Sequence, residues 1–469
     1  MLLLKRILKS LFAGFWLTTL IALGAMHLGG CQSANHEREQ ATPVTLTLWT
    51  LQMQPFETLV RKAITDFEHQ HPGVRVQWED LPFAEGKKRA LAAVLSPRVP
   101  DVINLNPGFA ALLAQRGALL DMNTELSAEQ QADYVPVVWE AVQLQRRLTA
   151  GRPVGVGVRH ANIAVGLPWY VTTTVTMSNA ALLKQAGWQH PPETLAELEQ
   201  LGHALKPLGY KALMPAIAEN GAFLKLLRRA GLEPVQNGCL VWAGLPEVRR
   251  QLAFYKRLYD ARLIPAESLT AGHRAAVEQY LSGRLALLSS GPNFLGMVKD
   301  NAPEVYAQTQ VSPAIPMAGY NQHAYLDVSA MVLSVPSKSA HPKLAIALAR
   351  TLAGPEFQLA LAKTVPVLPS VKAAYAQAPA FFGLTPSATP RVHTVDSAMT
   401  AGRWLTAQQL LGAKATNPVL PNEAQLNTAV DYAIQSVLLD RSDIPEALSH
   451  AEQRVNAGTC VTTAESLAQ

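Results

Sequence analysis

Apolar and polar side chains alternate along Val44-Thr-Leu-Thr-Leu-Trp49, the two-residue period of a strand with one face on a core. Residues 56–69 then carry apolar positions at helical spacing, and His71-Pro72-Gly73 marks a turn. Val74-Arg-Val-Gln-Trp78 reads as a second strand, 88–95 as a second helix, and Pro100-Asp-Val-Ile-Asn104 as a third strand before a helical stretch at 109–115. Strand and helix alternating at this spacing predict a parallel, doubly wound α/β sheet. The middle third is richer in helix, with segments at 180–186, 195–208, 223–230 and 246–261. Residues 284–290 and 329–335 are apolar enough for buried strands, and 344–352, 356–363 and 426–439 read as later helices. No internal repeat is visible.

The N-terminus departs from this pattern. Lys5, Arg6 and Lys9 precede an apolar run, 11–28, that ends in Leu28-Gly29-Gly30-Cys31. A basic start, an apolar stretch and small residues are the grammar of a secretory leader. Small residues directly before a cysteine resemble the bacterial lipobox, which implies lipidation of Cys31, removal of residues 1–30 and a polar tether over 31–43. An uncleaved transmembrane anchor is the alternative, because the run reaches the lower end of spanning length. Both readings place the bulk of the chain outside the cytoplasm. A bond between Cys239 and Cys460 is open to them in a compartment where disulfides form, but nothing in the sequence brings the two together and Cys460 sits in a Thr-rich tail, so unpaired thiols are the expectation.

Composition narrows the class. A chain of 469 residues has room for two lobes, and 49% hydrophobic against 16% charged residues, with a mean hydropathy of +0.08, is globular. The formal charge of +5 includes the three basic residues of the leader; the rest carries 37 basic against 35 acidic side chains. Basic residues are scattered, without a stripe interleaved with aromatics, so no nucleic-acid partner is expected. Three cysteines without CxxC or CxH spacing, and histidines without ligand pairing, predict no metal and no cofactor.

The order of segments resembles the extracellular solute-binding proteins of the maltodextrin-binding type, subunits of ATP-driven (ABC) importers. The likeness is carried by Phe67-Glu-His-Gln-His-Pro-Gly-Val-Arg-Val76, Pro100-Asp-Val-Ile103, Gly117-Ala-Leu-Leu-Asp121, Val165-Gly-Leu-Pro-Trp-Tyr170, Gly209-Tyr-Lys-Ala-Leu-Met214, Leu281-Ser-Gly-Arg-Leu-Ala286, Ser290-Gly-Pro292, Ser334-Val-Pro-Ser-Lys-Ser339 and Glu446-Ala-Leu448. It implies an α/β, two-lobed periplasmic-binding-protein fold of type II, with three hinge crossings and a cleft between the lobes. The crossings are expected at 168–172, 324–329 and 370–378. Lobe 1 is then 44–168 plus 328–372, lobe 2 is 169–325 plus 373–456, and 457–469 is a tail. The resemblance further implies a monomer that closes on its ligand and is recognised by ABC permease subunits.

A sugar needs flat apolar faces for its C–H surface and polar groups for its hydroxyls. The resemblance puts Trp169 and Tyr170 at the first crossing as such platforms, or alternatively as core aromatics plugging the hinge. Thr172 stands where maltodextrin binders carry an acid. Asn104 and Asn106 end the third strand, and Gln52 follows the first, beside Trp49; ordinary turn chemistry explains the same three polar residues. Glu219 and Asn220 match an acidic contact position, but Gly221 replaces the aromatic expected beyond them, with Phe223 close by. Asn293 stands where relatives often place a tryptophan. Loss of both platforms points to a small, polar ligand such as a disaccharide or compatible solute. Asp327 at the second crossing reads as an acceptor for hydroxyls or a cation, or as a strand-end cap. Arg403, Trp404 and Asn422 fall where the family supplies a further cleft loop.

No GxSxG elbow, HExxH, phosphate loop or strand-borne GxGxxG is present, so no catalytic residue is assigned. A carboxylate pair for glycoside hydrolysis, which need only meet in space, is the rival reading, and a solute-sensing receptor of the same fold is a third.

Overall fold

The structure is a computed structural model that describes residues 43–96, 99–144, 162–236, 239–317, 326–385, 397–413, 419–420 and 422–457. Cys31, Cys460 and the leader, tether and tail readings lie outside the described residues. Thirteen strands are described: β1 (Val44–Leu51), β2 (Val74–Leu81), β3 (Val102–Leu105), β4 (Gln143–Leu144), β5 (Ile163–Ala164), β6 (Leu167–Thr173), β7 (Val175–Asn179), β8 (Val235–Gln236), β9 (Cys239–Leu240), β10 (Leu287–Ser290), β11 (Thr309–Pro313), β12 (Val328–Ser334) and β13 (Leu368–Pro369). Val44 with Gly73–Arg75 forms a small unit of its own, in which the Val44 N–H donates to the Gly73 carbonyl at 2.9 Å. The rest of the described chain belongs to a large unit, 45–72 with 76–469.

Six strands build one sheet in the order β13-β6-β12-β3-β1-β2, and three build another in the order β10-β7-β11. Alternation in β1 has its expected meaning: Leu46 and Leu48 are fully buried while Thr45, Thr47 and Trp49 are not. β1 and β3 run parallel, as the strand–helix alternation predicts. The wholly parallel sheet is nonetheless wrong, because β12 is antiparallel to both β3 and β6, and β13 is antiparallel to β6. Apolar patterning encodes which faces are buried and carries no information on strand direction. Here the direction is set by β12 returning to the large sheet from β11 of the small one.

The two sheets exchange the chain over a very short span. β6 ends in the large sheet at Thr173 and β7 begins in the small one at Val175, leaving Thr174 as the connection. The return runs from β11 to β12 and ends at Asp327. Thr174 Oγ1 stands 3.5 Å from Asp327 Oδ2, so the two passages lie side by side. Residues 370–378 stay with the large sheet, since Tyr375 and Phe382 are buried in its core. The C-terminal region crosses elsewhere: Val419 packs in the large-sheet core and Leu420 in the helical core of the other half. Helix Ser397–Gly412, which the sequence reading lacks, carries Ala398 into the core around β7 and Ala407 and Leu410 into that around β3.

Candidate ligand site between the two sheets

The first expected platform is not one. Trp169 is fully buried, its Nε1–H donates to the Leu352 carbonyl at 2.9 Å, and its ring stacks on Phe357 at 5.4 Å. It is the core plug of the hinge, because β6 alternates and Trp169 falls on the inward face. Tyr170 takes the opposite face and is half-buried. Burial pushes its phenol pKa above the usual range, and the Asp80 carboxylate adds to the shift. Asp80 also orders the turn after β1: it accepts from Thr50 Oγ1 at 2.6 Å and from the backbone N–H groups of Met53 and Gln54 at 2.9 Å. Gln52, in that turn, has a positive φ of 55° and an exposed side chain.

Asn104 is fully buried and spans three strands. Its Oδ1 accepts the Leu51 N–H at 3.3 Å and its Nδ2 donates to the Val332 carbonyl at 3.2 Å. The side chain is a sheet tie, correcting the expectation of a ligand contact: a strand-end asparagine can satisfy neighbouring backbone instead of facing the cleft. Asn106 caps helix Pro107–Ala114, accepting the Phe109 N–H at 2.8 Å.

Three other predicted residues, Thr172, Asn293 and Asp327, gather where the sheets exchange the chain. A Cβ added to Gly291 would sit 2.4 Å from Asn293 Oδ1 and 2.7 Å from Thr172 Oγ1, so both polar groups crowd over one bare backbone position. Asn293 Oδ1 is buried and has no hydrogen-bond partner among the described residues. Asp327 and Thr174 flank this cluster through the two passages. Glu219 and Asn220 lie in the helical half: Glu219 Oε2 accepts the His273 N–H at 2.7 Å, and Asn220 holds a positive φ of 51° with its side chain exposed.

Residues that the sequence reading missed complete the site. Glu423 opens helix Glu423–Leu438, and its carboxylate reaches Gly108 at the start of helix Pro107–Ala114, 3.2 Å from where a Cβ would stand. Burial raises the Glu423 pKa, opposed by Lys225 and Arg228 and reinforced by Asp327. Asn427 Oδ1 fills the space beside Gly221, which has a φ of 66° and could hold no side chain there. Asp431 accepts the Gly221 N–H at 3.1 Å. Its pKa is pushed up to about 6, mainly by burial, with backbone donors opposing and Glu219 adding. Glu423, Asn427 and Asp431 recur every fourth residue, a polar stripe on one helix face that was available in the sequence. Burial lowers the His273 pKa despite Glu219, and its ring meets Phe294 edge-on at 5.1 Å.

Arg403 stacks 3.9 Å above Phe381, and Trp404 Nε1–H donates to the Phe381 carbonyl. Among the described residues no group of three His, Cys, Asp or Glu is placed to hold a metal ion. No described helix is long and apolar enough to cross a membrane. The arrangement suits reversible hydrogen bonding to a small polar molecule by hydroxyl, amide and carboxylate groups from both sheets.

The chain is similar to proteins of known family and fold. Residues 50–359 match the family of bacterial extracellular solute-binding proteins. A Synechococcus protein described as an oligosaccharide periplasmic-binding protein is 30% identical, with a TM-score of 0.73, covering 88% of this chain and 98% of its own. The sugar-binding protein MalE of Xanthomonas citri covers 88% of this chain and 97% of its own at 20% identity and a TM-score of 0.65. An ABC transporter solute-binding protein of Thermotoga lettingae, solved with α-D-tagatose, covers 88% and 99% at 19% identity and 0.68. The latter two establish the fold alone, a two-lobed α/β binding-protein architecture. No curated protein matches the chain by sequence.

Proposed function

We propose that this chain, which belongs to the bacterial extracellular solute-binding protein family, captures a sugar or sugar-like small polar solute as the substrate-binding subunit of an ABC importer. The observation that carries the reading is the meeting of Thr172 and the unpaired Asn293 carbonyl over Gly291, beside the Thr174–Asp327 passage. In this reading a hydroxylated ligand supplies the donor that Asn293 Oδ1 lacks and acceptors for Thr172, with Gln52, Tyr170 and Asn106 proposed as further contacts from the large-sheet half. Burying an unsatisfied acceptor costs about 1–3 kcal/mol, so its satisfaction by ligand contributes on that order to binding.

Delivery completes the proposal. The leader directs export and is removed, Cys31 tethers the mature protein by lipid on the outer side of the cytoplasmic membrane, and the ligand-bound monomer docks on permease subunits. Binding without turnover fits the family and the absence of sequence motifs for hydrolysis. The test is a thermal-shift screen of the full chain against mono- and disaccharides, glycosylated osmolytes, polyamines and ferric salts, followed by mass spectrometry of the recovered ligand. A saturable shift with a sugar returned unchanged supports the reading. A shift confined to polyamine or iron, or recovery of a cleaved sugar, overturns it.

A further inference from the structure

Helix Pro107–Ala114 belongs to the large-sheet half, since Ala110, Ala111 and Leu113 pack in its core. Helix Glu423–Leu438 belongs to the helical half, through Leu426, Ala429 and Val430. Glu423 bridges the two helix starts. Its Oε2 comes 3.2 Å from the position a Cβ would take on Gly108, and Asn106 Oδ1 comes 3.7 Å from the same point. Pro107 has no N–H, Asn106 Oδ1 takes that of Phe109 at 2.8 Å, and the Asn106 carbonyl takes that of Ala110 at 3.0 Å. The Gly108 N–H is the first-turn donor these contacts leave over, at the positive end of the helix. With no side chain, Gly108 leaves the carboxylate room to approach. Lys225 and Arg228, on helix Ala222–Arg229 of the helical half, favour the charged form of Glu423 against burial and Asp327. The contact also lies close to where the chain passes between the halves. Asp327 ends one passage, and the Val419 N–H donates to the Gln143 carbonyl at 3.2 Å in the large-sheet half just before Leu420 enters the helical core. Glu423 follows within a few residues, so a change in the angle between the halves acts on its contact with Gly108.

We propose that Glu423 is a clasp between the halves: it holds the first turn of helix Pro107–Ala114 to the helical half without ligand, biases the protein towards its closed form, and so sets affinity without touching the ligand. Glu423 is then a positioning residue. The inference rests on the binding-protein reading, which supplies the opening and closing, and adds the group that balances them. A ligand that binds the closed form shows its intrinsic dissociation constant divided by the fraction of protein already closed. Breaking the clasp lowers that fraction, and it does so by the same factor whichever ligand follows.

The test is small-angle X-ray scattering of the full chain, ligand-free and sugar-saturated, with calorimetry against a panel of mono- and disaccharides. Wild type, Glu423→Ala and Glu423→Gln are compared, with folding checked by thermal melting. Glu423→Ala is expected to raise the radius of gyration of the ligand-free protein and to leave that of the saturated protein at the wild-type value. It is also expected to weaken all sugars that bind by one common factor, about threefold or more. Glu423→Gln keeps an acceptor and loses the charge, so it should move both readings the same way by less, and it carries the test if the alanine variant does not fold. An unchanged ligand-free radius of gyration overturns the inference. A loss of affinity that differs from sugar to sugar overturns it too, by marking Glu423 as a direct contact; the sugar-binding reading survives both. If no sugar binds, that reading falls, and the ligand-free radius of gyration by itself still decides for or against the clasp.

Discussion

Thr172 Oγ1 and Asn293 Oδ1 converge on the space above Gly291, one from the end of β6 and the other from the turn after β10. The Asn293 oxygen has no donor among the described residues. Replacing Asn293 by Ala should therefore leave the melting temperature unchanged or raise it, while ligand affinity falls about tenfold, because the side chain costs stability without ligand and contributes with it. Calorimetry paired with a melting curve checks this; a variant that melts lower and binds as well as wild type contradicts the assignment.

Trp169 is expected to fail differently. Its ring is fully enclosed against Phe357 and its indole N–H is tied to Leu352, so Trp169→Ala opens a large cavity and should cost about 3–5 kcal/mol. Urea unfolding measures that loss. A variant of near wild-type stability that has lost only its ligand would restore Trp169 to the binding surface.

Asp431 gives a pH signature. Its folded pKa of about 6 lies above the usual 3.8 of an aspartate, so the folded state binds the proton more tightly than the unfolded chain. The stability this confers is complete below about pH 4 and is lost as the pH rises through 6. Asp431→Asn keeps an acceptor for the Gly221 N–H and removes the titration. The melting temperature of the variant relative to wild type should thus climb between pH 4 and pH 7; a flat difference across that range contradicts the shift.

Cys239 is disulfide-bonded, and only Cys31 and Cys460 are available as partners. Leu240 exchanges two hydrogen bonds with the Asn456 side chain at 2.9 and 2.8 Å, which holds β9 beside the end of helix Ile444–Asn456. Four residues further on, Cys460 is the expected partner, leaving Cys31 free for lipid. Non-reducing peptide mapping should recover the Cys239 peptide joined to that of Cys460. Reduction should lower stability by about 2–4 kcal/mol. A Cys239–Cys31 cross-link would remove the lipid-anchor reading as well.

Much of the local structure was legible because it rests on local rules. The strand at 44–49, the helices at 195–208 and 246–261 and the buried strand at 329–335 follow from periodicity and turn residues, and each reappears within a few residues of its predicted bounds. Helix Ser397–Gly412 was missed because it serves two cores at once, which blurs the single apolar face that a helical pattern announces. Glu423, Asn427 and Asp431 were passed over for the opposite reason: the apolar face of their helix was strong, and the polar stripe beside it looks like any solvated surface until Gly108 and Gly221 are brought against it.

The sequence by itself determined the elements, the α/β class and the family order of segments, since these depend on spacings of three or four residues, on two-residue alternation and on short motifs. Tertiary structure alone decided that Asn104 ties strands while Thr172 and Asn293 meet, that Trp169 faces the core, and that β12 runs against its neighbours. Such outcomes depend on which distant backbone arrives opposite a side chain, and no local pattern along the chain records that arrival.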